Sequence, residues 1–299
     1  MEHHITVLKK EATLGLHIQP GATIVDATIG SLGHTREILS RIGTEGTFVG
    51  IDADPKAIEA AKSLESKGVA MHLTVGNFRD IDAHLVKFGI TKVDGILADL
   101  GWRTEQFNDE GKGFSFNANE PLVMTYGDPA SYPFSATDIV NSWKEEDIRN
   151  VLKAYGEERF ASRIAKAIIE ERATHKIETA AELGELVTCS VPAFYRRGKT
   201  HPATKTFQAL RIAVNDELDA LRTFIEKAIP LLDAKGRLAI ITFHSLEDRI
   251  VKHTFRTLKE NGEGIVVTKK PIRPTEEEIN ANPRARSAKL RIFEKRDKE

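Results

Sequence analysis

Cysteine is almost missing from this sequence. Cys189 stands alone in 299 residues, so no internal disulfide can form. That suits a reducing compartment, and a cytoplasmic location is expected. Cys189 lies in an apolar helical pattern and is expected to be a small buried hydrophobe. No run of 18 apolar residues occurs, so no segment is expected to span a membrane. The opening MEHHITVLKKE lacks the apolar stretch of a signal peptide. Neither sign of charge is in excess: 43 basic residues face 44 acidic ones, for a net charge of −1. A nucleic-acid partner would therefore be held by local patches, not by a global field. Repeats and low-complexity tracts are absent. No spacing of ligand residues marks a metal site, and the adjacent His3 and His4 are expected to be solvated. What is present is ordinary for a globular chain: 40% hydrophobic and 29% charged residues. The length fits one large α/β domain, or a core with an insertion.

Residues 24–54, IVDATIGSLGHTREILSRIGTEGTFVGIDAD, organise the rest. Ile24 and Val25 run into Asp26 as a short buried strand. Gly30 and Gly33 bracket a turn, and Ile38, Leu39 and Ile42 then share one helical stripe. A second strand, 48–51, ends at Asp52. The carboxylate follows the glycine turn by about 20 residues, the usual offset for the acid that takes ribose hydroxyls in a nucleotide-binding βαβ unit. Glycine lets the backbone approach a ligand that a Cβ would block. The fingerprint is incomplete, and a tight turn whose glycines serve packing alone is the alternative.

Along the chain, residues 1–20 predict a short helix. Asp54-Pro55 opens another, with Pro at its first position. Residues 71–75 form a third strand followed by Phe78, which either bounds an adenine ring or is a core aromatic. Residues 93–100 form a fourth strand that delivers Asp99, Gly101 and Trp102 to the ligand-facing edge. Residues 103–134 are rich in Gly, Asn, Asp and Pro, as in a functional loop or lid. From about 135 to 200 the pattern is helical. Capping boxes are expected at Ser142/Glu145 and Thr179/Glu182. Phe207, Leu210, Val214, Leu218, Leu221 and Ile225 predict one long core helix. Residues 238–243 form a fifth buried strand, followed by His244 and Glu247. Segments 266–271 and 288–293 suggest a last antiparallel pair. Arg196-Arg197-Gly198-Lys199 and residues 282–289 are basic loops with local attraction for phosphate.

The blocks DATIGSLGHT, GIDADPKAI, DGILADLG, KGFSF, YGEERFASRIAKAI, HPATKTFQALRIAVNDEL, TFHSLEDRIVK and NPRARSAKLR cover nearly the whole chain. In them the sequence resembles the bacterial 16S ribosomal RNA cytosine-N4 methyltransferases, the RsmH family, formerly MraW. The resemblance implies an α/β fold: a class I (Rossmann-like) methyltransferase core with an inserted, mainly helical subdomain. Residues 1–104 and 203–299 would form the core. Residues 105–202 would form a substrate-recognition insertion. It implies S-adenosyl-L-methionine as cofactor, and as partner the 16S ribosomal RNA of the small subunit, methylated at N4 of cytosine 1402. Cofactor residues carried over by position are Gly30, Leu32, Gly33, His34, Asp52, Phe78, Asp99 and Gln106.

The sequence departs from the family pattern at three places. Leu32 stands where glycine is usual. Trp102-Arg103-Thr104 replaces Val-Ser-Ser. Val123 and Thr125 replace an acid and an arginine. These bear on cofactor affinity and on target positioning. A diverged paralogue that binds RNA without methylating it, or that methylates another base, is the alternative.

Methylating an exocyclic amine needs an electrophile, an in-line nitrogen and an acceptor for the nitrogen's hydrogens. Asp99 is the candidate acceptor, with binding of the cofactor's ammonium group as its equal alternative. Asp99-x-x-Trp102 is similar to the Asp-Pro-Pro-aromatic motif of amino methyltransferases, without the prolines, and Trp102 would stack on a flipped-out cytosine. His244 is a candidate proton shuttle or a supporting hydrogen bonder. Arg196, Arg197, Lys199, Lys205, Arg211, Arg284 and Arg286 are candidates for RNA phosphate contact. Whether the chain forms a homodimer stays open, and a nicotinamide dehydrogenase is the rival enzyme class.

Overall fold

The computed structural model describes residues 5–64, 68–101, 111–116 and 119–297. The chain divides into two compact units, residues 1–103 with 218–299, and residues 104–217.

The first unit is built on one seven-stranded sheet. Its strands are β1 (Thr23–Asp26), β2 (Thr47–Asp52), β3 (Ala70–Val75), β4 (Val93–Asp99), β5 (Leu232–Thr242), β6 (Gly264–Val266) and β7 (Lys289–Lys295). They lie in the order 3-2-1-4-5-7-6. The first five are parallel, and β7 runs antiparallel to β5 and β6. This is the Rossmann-like sheet that the resemblance implies. Buried strands read as continuous apolar runs because helices cover both faces. On one face Val25, Val49, Ile96 and Ile240 pack on Leu221, Phe224 and Ile225. On the other, Ile24, Phe48 and Leu97 pack on Val7, Leu8, Ala12 and Ile38. The helix Pro55–Lys62 starts as expected, with Asp54 accepting a hydrogen bond from the Lys56 N–H.

The second unit is helical: Ala136–Ser142, Glu145–Gly156, Ala161–Arg172, Ala180–Ser190, Ala193–Arg196 and Thr204–Asn215. Thr179 and Glu182 cap one another's backbone as expected. The box expected at Ser142/Glu145 does not form. Ser142 instead closes the helix before, and Lys144 opens the next one without a side-chain cap. The reciprocal box sits at Ser135 and Asp138.

The single long helix expected over 207–225 is two. Thr204–Asn215 ends where Asp216 takes φ +50°, and Glu217–Leu231 begins afresh. Asp tolerates that left-handed conformation better than most residues. Asn215 fixes the break, because its side chain accepts from the Tyr126 N–H at 2.9 Å and donates to the Met124 carbonyl at 2.7 Å. Thr204–Asn215 therefore belongs with the helical unit. The Lys205 carbonyl lies so close to Gly156 that a Cβ there would meet it at 2.6 Å. The boundary thus falls at 217, where the sequence suggests 202.

Cys189 is exposed. The buried face of its helix is Ala180, Leu183, Gly184 and Val187. Two residues past Val187 the side chain has turned about 200° away. Residues 119–134, in the stretch read as a loop or lid, are pinned within the unit. Ala180 donates to the Glu120 carbonyl, and Leu122 donates to that of Glu178. No described helix is long and apolar enough to cross a membrane.

Candidate functional site

Parallel pairing brings the carboxyl ends of β1, β2 and β4 to one edge. Asp26 pairs in register with Gly50 of β2 and Leu97 of β4. Asp52 and Asp99 each lie two residues beyond those partners. Three carboxylates therefore end three neighbouring strands, at the position where open α/β sheets bind ligands.

Asp52 is held from both sides. The Gly30 N–H donates to one oxygen at 2.8 Å, and the Asp54 N–H donates to the other at 2.8 Å. Gly30 reaches this position with φ +54°. The loop after β3 is tied to the same place, because the Gly76 N–H donates to the Asp52 carbonyl at 2.9 Å. Phe78 follows in that loop, half-buried, with its ring edge-to-face on Phe224 at 5.1 Å.

Asp99 is 18% exposed. It receives the Gly101 N–H at 2.9 Å, and its own N–H donates to the Thr28 hydroxyl. A Cβ on Gly101 would meet the Phe243 ring at 2.8 Å and Asp99 Oδ1 at 2.9 Å, so a larger residue here would have to displace one of them. Burial pushes the Asp99 carboxyl up to about 7. The Gly101 hydrogen bond opposes the rise, and the charges of Asp26 and Glu247 add to it. Asp26 was not singled out from the sequence. It is fully buried, accepts from the Thr35 hydroxyl at 2.8 Å, and is pushed to about 6 by burial, with Asp52 adding to the rise. Its only signal in the sequence is an acid ending an apolar strand.

His34 lies in the first turn of the helix Gly33–Ile42. Its Nε2 faces the Val7 carbonyl at 3.1 Å, and its Nδ1 is 3.6 Å from Asp99 Oδ2. A carbonyl only accepts, so Nε2 carries a hydrogen and Nδ1 is the nitrogen turned to the carboxyl. Leu32 precedes this helix with φ +68°, a left-handed backbone that favours glycine. Its side chain is buried against Ile29, Ile58 and Ala61.

His244 and Glu247 follow β5, which pairs Asp99 with Ile241. His244 Nδ1 accepts from the Glu247 N–H at 3.4 Å. Glu247 accepts from the Phe243 and His244 N–H groups at 2.8 and 3.2 Å. The two form the cap of the helix Ser245–Glu260. Trp102 and Gln106 lie outside the described residues.

The basic candidates divide. Arg196, Arg197 and Lys199 are exposed, as are Arg284 and Arg286 on the turn Pro283–Ser287. Lys205 donates to the Glu157 carbonyl at 3.0 Å, closing a helix end. Arg211 grips Glu217 with two hydrogen bonds of 2.8 Å each, both side chains being mostly buried. Tyr126 donates to the same carboxylate. Phosphate contact, the role expected for Arg211, gives way to this internal pairing. Thr125, where the family usually has arginine, is buried, and its hydroxyl donates to the Gly127 carbonyl.

The residues fit a cationic nucleoside cofactor. A carboxylate held at a strand end beside a glycine turn suits ribose hydroxyls, and three clustered acids suit a positive charge. Comparison with known proteins agrees in kind. The chain is 44% identical over 309 residues to a "Ribosomal RNA small subunit methyltransferase H" of Brevibacillus brevis, covering 98% of each chain. It is 42% identical over 312 residues to a protein of the same name in Clostridioides difficile, covering 98% of this chain and 99% of that one. The model of the MraW methylase family matches residues 1–296, and the chain belongs to that family.

Proposed function

We propose that this protein methylates the exocyclic N4 amine of a cytosine in 16S ribosomal RNA, acting on the small ribosomal subunit in the cytoplasm. The observation that carries the chemistry is the placing of Asp52 and Asp99 at the ends of β2 and β4, the two strands that flank β1, with the Gly30 turn after β1 donating to Asp52. The names of the relatives support small-subunit ribosomal RNA as the substrate.

S-adenosylmethionine, when bound, supplies an electrophilic methyl group on a sulfonium. Asp52 would accept the ribose hydroxyls, and Phe78 would lie beside the adenine. Gly33 and His34 begin the helix beside the turn, and Leu32 sends its side chain into the core instead of toward a ligand. Asp99 has two roles open to it. As a carboxylate it would hold the cofactor's ammonium group. With its proton affinity near neutrality, it would also take the hydrogen that N4 sheds as the new carbon–nitrogen bond forms. Trp102 is the candidate platform for the target base. His244, already engaged as a helix cap, supports Glu247 more directly than it serves as a shuttle. Gln106 would complete the methionine end.

The test is incubation of small subunits with the protein and S-adenosylmethionine, followed by mass spectrometry of the RNA. Methyl on a cytosine N4 is expected. Methyl on another base would refute the target and keep the chemistry. Cofactor binding without any methyl incorporation would refute the enzymatic reading.

A further inference from the structure

The helical unit carries an aromatic cluster that no step above uses. Phe194, on the short helix Ala193–Arg196, is 63% exposed. Its ring meets Phe160 at 6.0 Å, and Phe160 meets Tyr195 at 4.9 Å, both edge-to-face. Arg159 lies over the Phe160 ring at 5.6 Å. An exposed Phe on a four-residue helix contributes little to stability, because its apolar area stays in water.

The cluster is held in place by a buried acid. Glu158 is 3% exposed. One of its oxygens accepts the Phe160 N–H at 2.7 Å, and the other accepts the Tyr195 hydroxyl at 2.8 Å. Burial and the neighbouring Glu158 push the Tyr195 phenol up, so the hydroxyl keeps its proton and remains the donor. One carboxylate thus fastens both segments, while Phe194 stays exposed.

Close to these rings in sequence are Arg159, Arg163, Arg196, Arg197 and Lys199, all exposed. None of the five is in an ion pair among the described residues. Unpaired guanidinium groups beside an open aromatic face match a strand that offers phosphates and unstacked bases together. Duplex RNA would offer only the phosphates.

We infer that Phe194, flanked by Arg196 and Arg197 and seated on Phe160, is a stacking platform for an unpaired base of single-stranded RNA. The inference rests on the RNA-methyltransferase reading and assigns an RNA contact to the helical unit. Stacking on an aromatic side chain accepts any base, so the platform would grip the strand and leave base choice to other residues.

The experiment is fluorescence anisotropy of the full-length protein with a short labelled oligouridine, across a range of salt concentrations, with duplex RNA as competitor. Phe194→Ala is expected to weaken binding by about tenfold with an unchanged salt slope, and Phe194→Trp to retain it. Arg196→Ala with Arg197→Ala is expected to flatten the slope of log affinity against log salt by about 1.4. S-adenosylmethionine affinity, measured by calorimetry, is expected to stay at the wild-type value in every variant. Unchanged oligouridine affinity in Phe194→Ala would overturn the inference, as would failure of the wild-type protein to bind oligouridine. Loss of cofactor binding in the wild type alone would strike the enzymatic reading and leave the platform standing.

Discussion

Replacing Asp99 with asparagine should make the protein more stable at pH 8 and no more stable at pH 4. An unhindered aspartate titrates near 3.8, whereas folded Asp99 is pushed up to about 7. Between those values the folded state holds a proton that the unfolded chain has released. Stability therefore falls as pH rises through this window, and the loss is complete above the folded value. A gap of about 3 units at 1.36 kcal/mol per unit sets a ceiling of about 4 kcal/mol, and partial exposure to water reduces it, so a gain of roughly 2–3 kcal/mol is expected. Asparagine suits the site. Its oxygen can still accept from the Gly101 N–H, and its amide can donate to His34 Nδ1, the nitrogen turned toward Asp99. Urea unfolding of both proteins from pH 4 to 8.5 measures the difference, with equal denaturant slopes as the control. Two stability curves that run parallel across the whole range would refute the reasoning. The same variant separates stability from chemistry. Methyl transfer should collapse while the fold gains, the trade expected where a site keeps an unfavourable charge for function. In the wild type, a bound cation should draw the Asp99 proton off, so cofactor affinity should rise from pH 6 to 8. In the variant that rise should shrink.

Leu32 supplies a second test. Leu32→Ala keeps the left-handed backbone and loses the packing on Ile29, Ile58 and Ala61, at a cost of about 2–5 kcal/mol. Leu32→Gly loses the same packing but relieves the strain, so it should unfold about 1 kcal/mol later than Leu32→Ala. Thermal melts giving the reverse order would contradict the assignment. Arg211→Ala leaves Glu217 mostly buried without its bidentate partner and should destabilise by about 3 kcal/mol. Adding Glu217→Gln should recover part of that loss, and a double-mutant cycle measures the recovery. His244→Asn preserves an N-cap acceptor and should keep the melting temperature near that of the wild type. Its methylation rate should fall by less than the ~100-fold that loss of a general acid or base costs. A larger fall with an unchanged melt would restore the proton shuttle.

Much of the fold is written locally in the sequence. A short apolar run bounded by turn residues marks a buried strand, and Thr179/Glu182 caps its helix through atoms three residues apart. Strand ends then follow, and with them the positions of Asp52 and Asp99 at the edge where ligands bind. The alternation of strand and helix dictates a parallel sheet. The motif blocks fixed the family in the same way, because they are patterns of neighbours.

Tertiary structure decided what depends on residues far apart in the chain. Helical periodicity runs straight through residue 216, since Val214 and Leu218 are four apart with or without a break. The break comes from Asn215 binding Met124 and Tyr126, some 90 positions earlier. Arg211 looks like a phosphate ligand until Glu217 and Tyr126 are seen to enclose it. Leu32 reads as an obstruction until its side chain is found among Ile29, Ile58 and Ala61. The proton affinities of Asp26 and Asp99 belong to this group too. A carboxyl's chemistry is set by the water it has lost and the charges around it, and burial is a property of the whole packed chain.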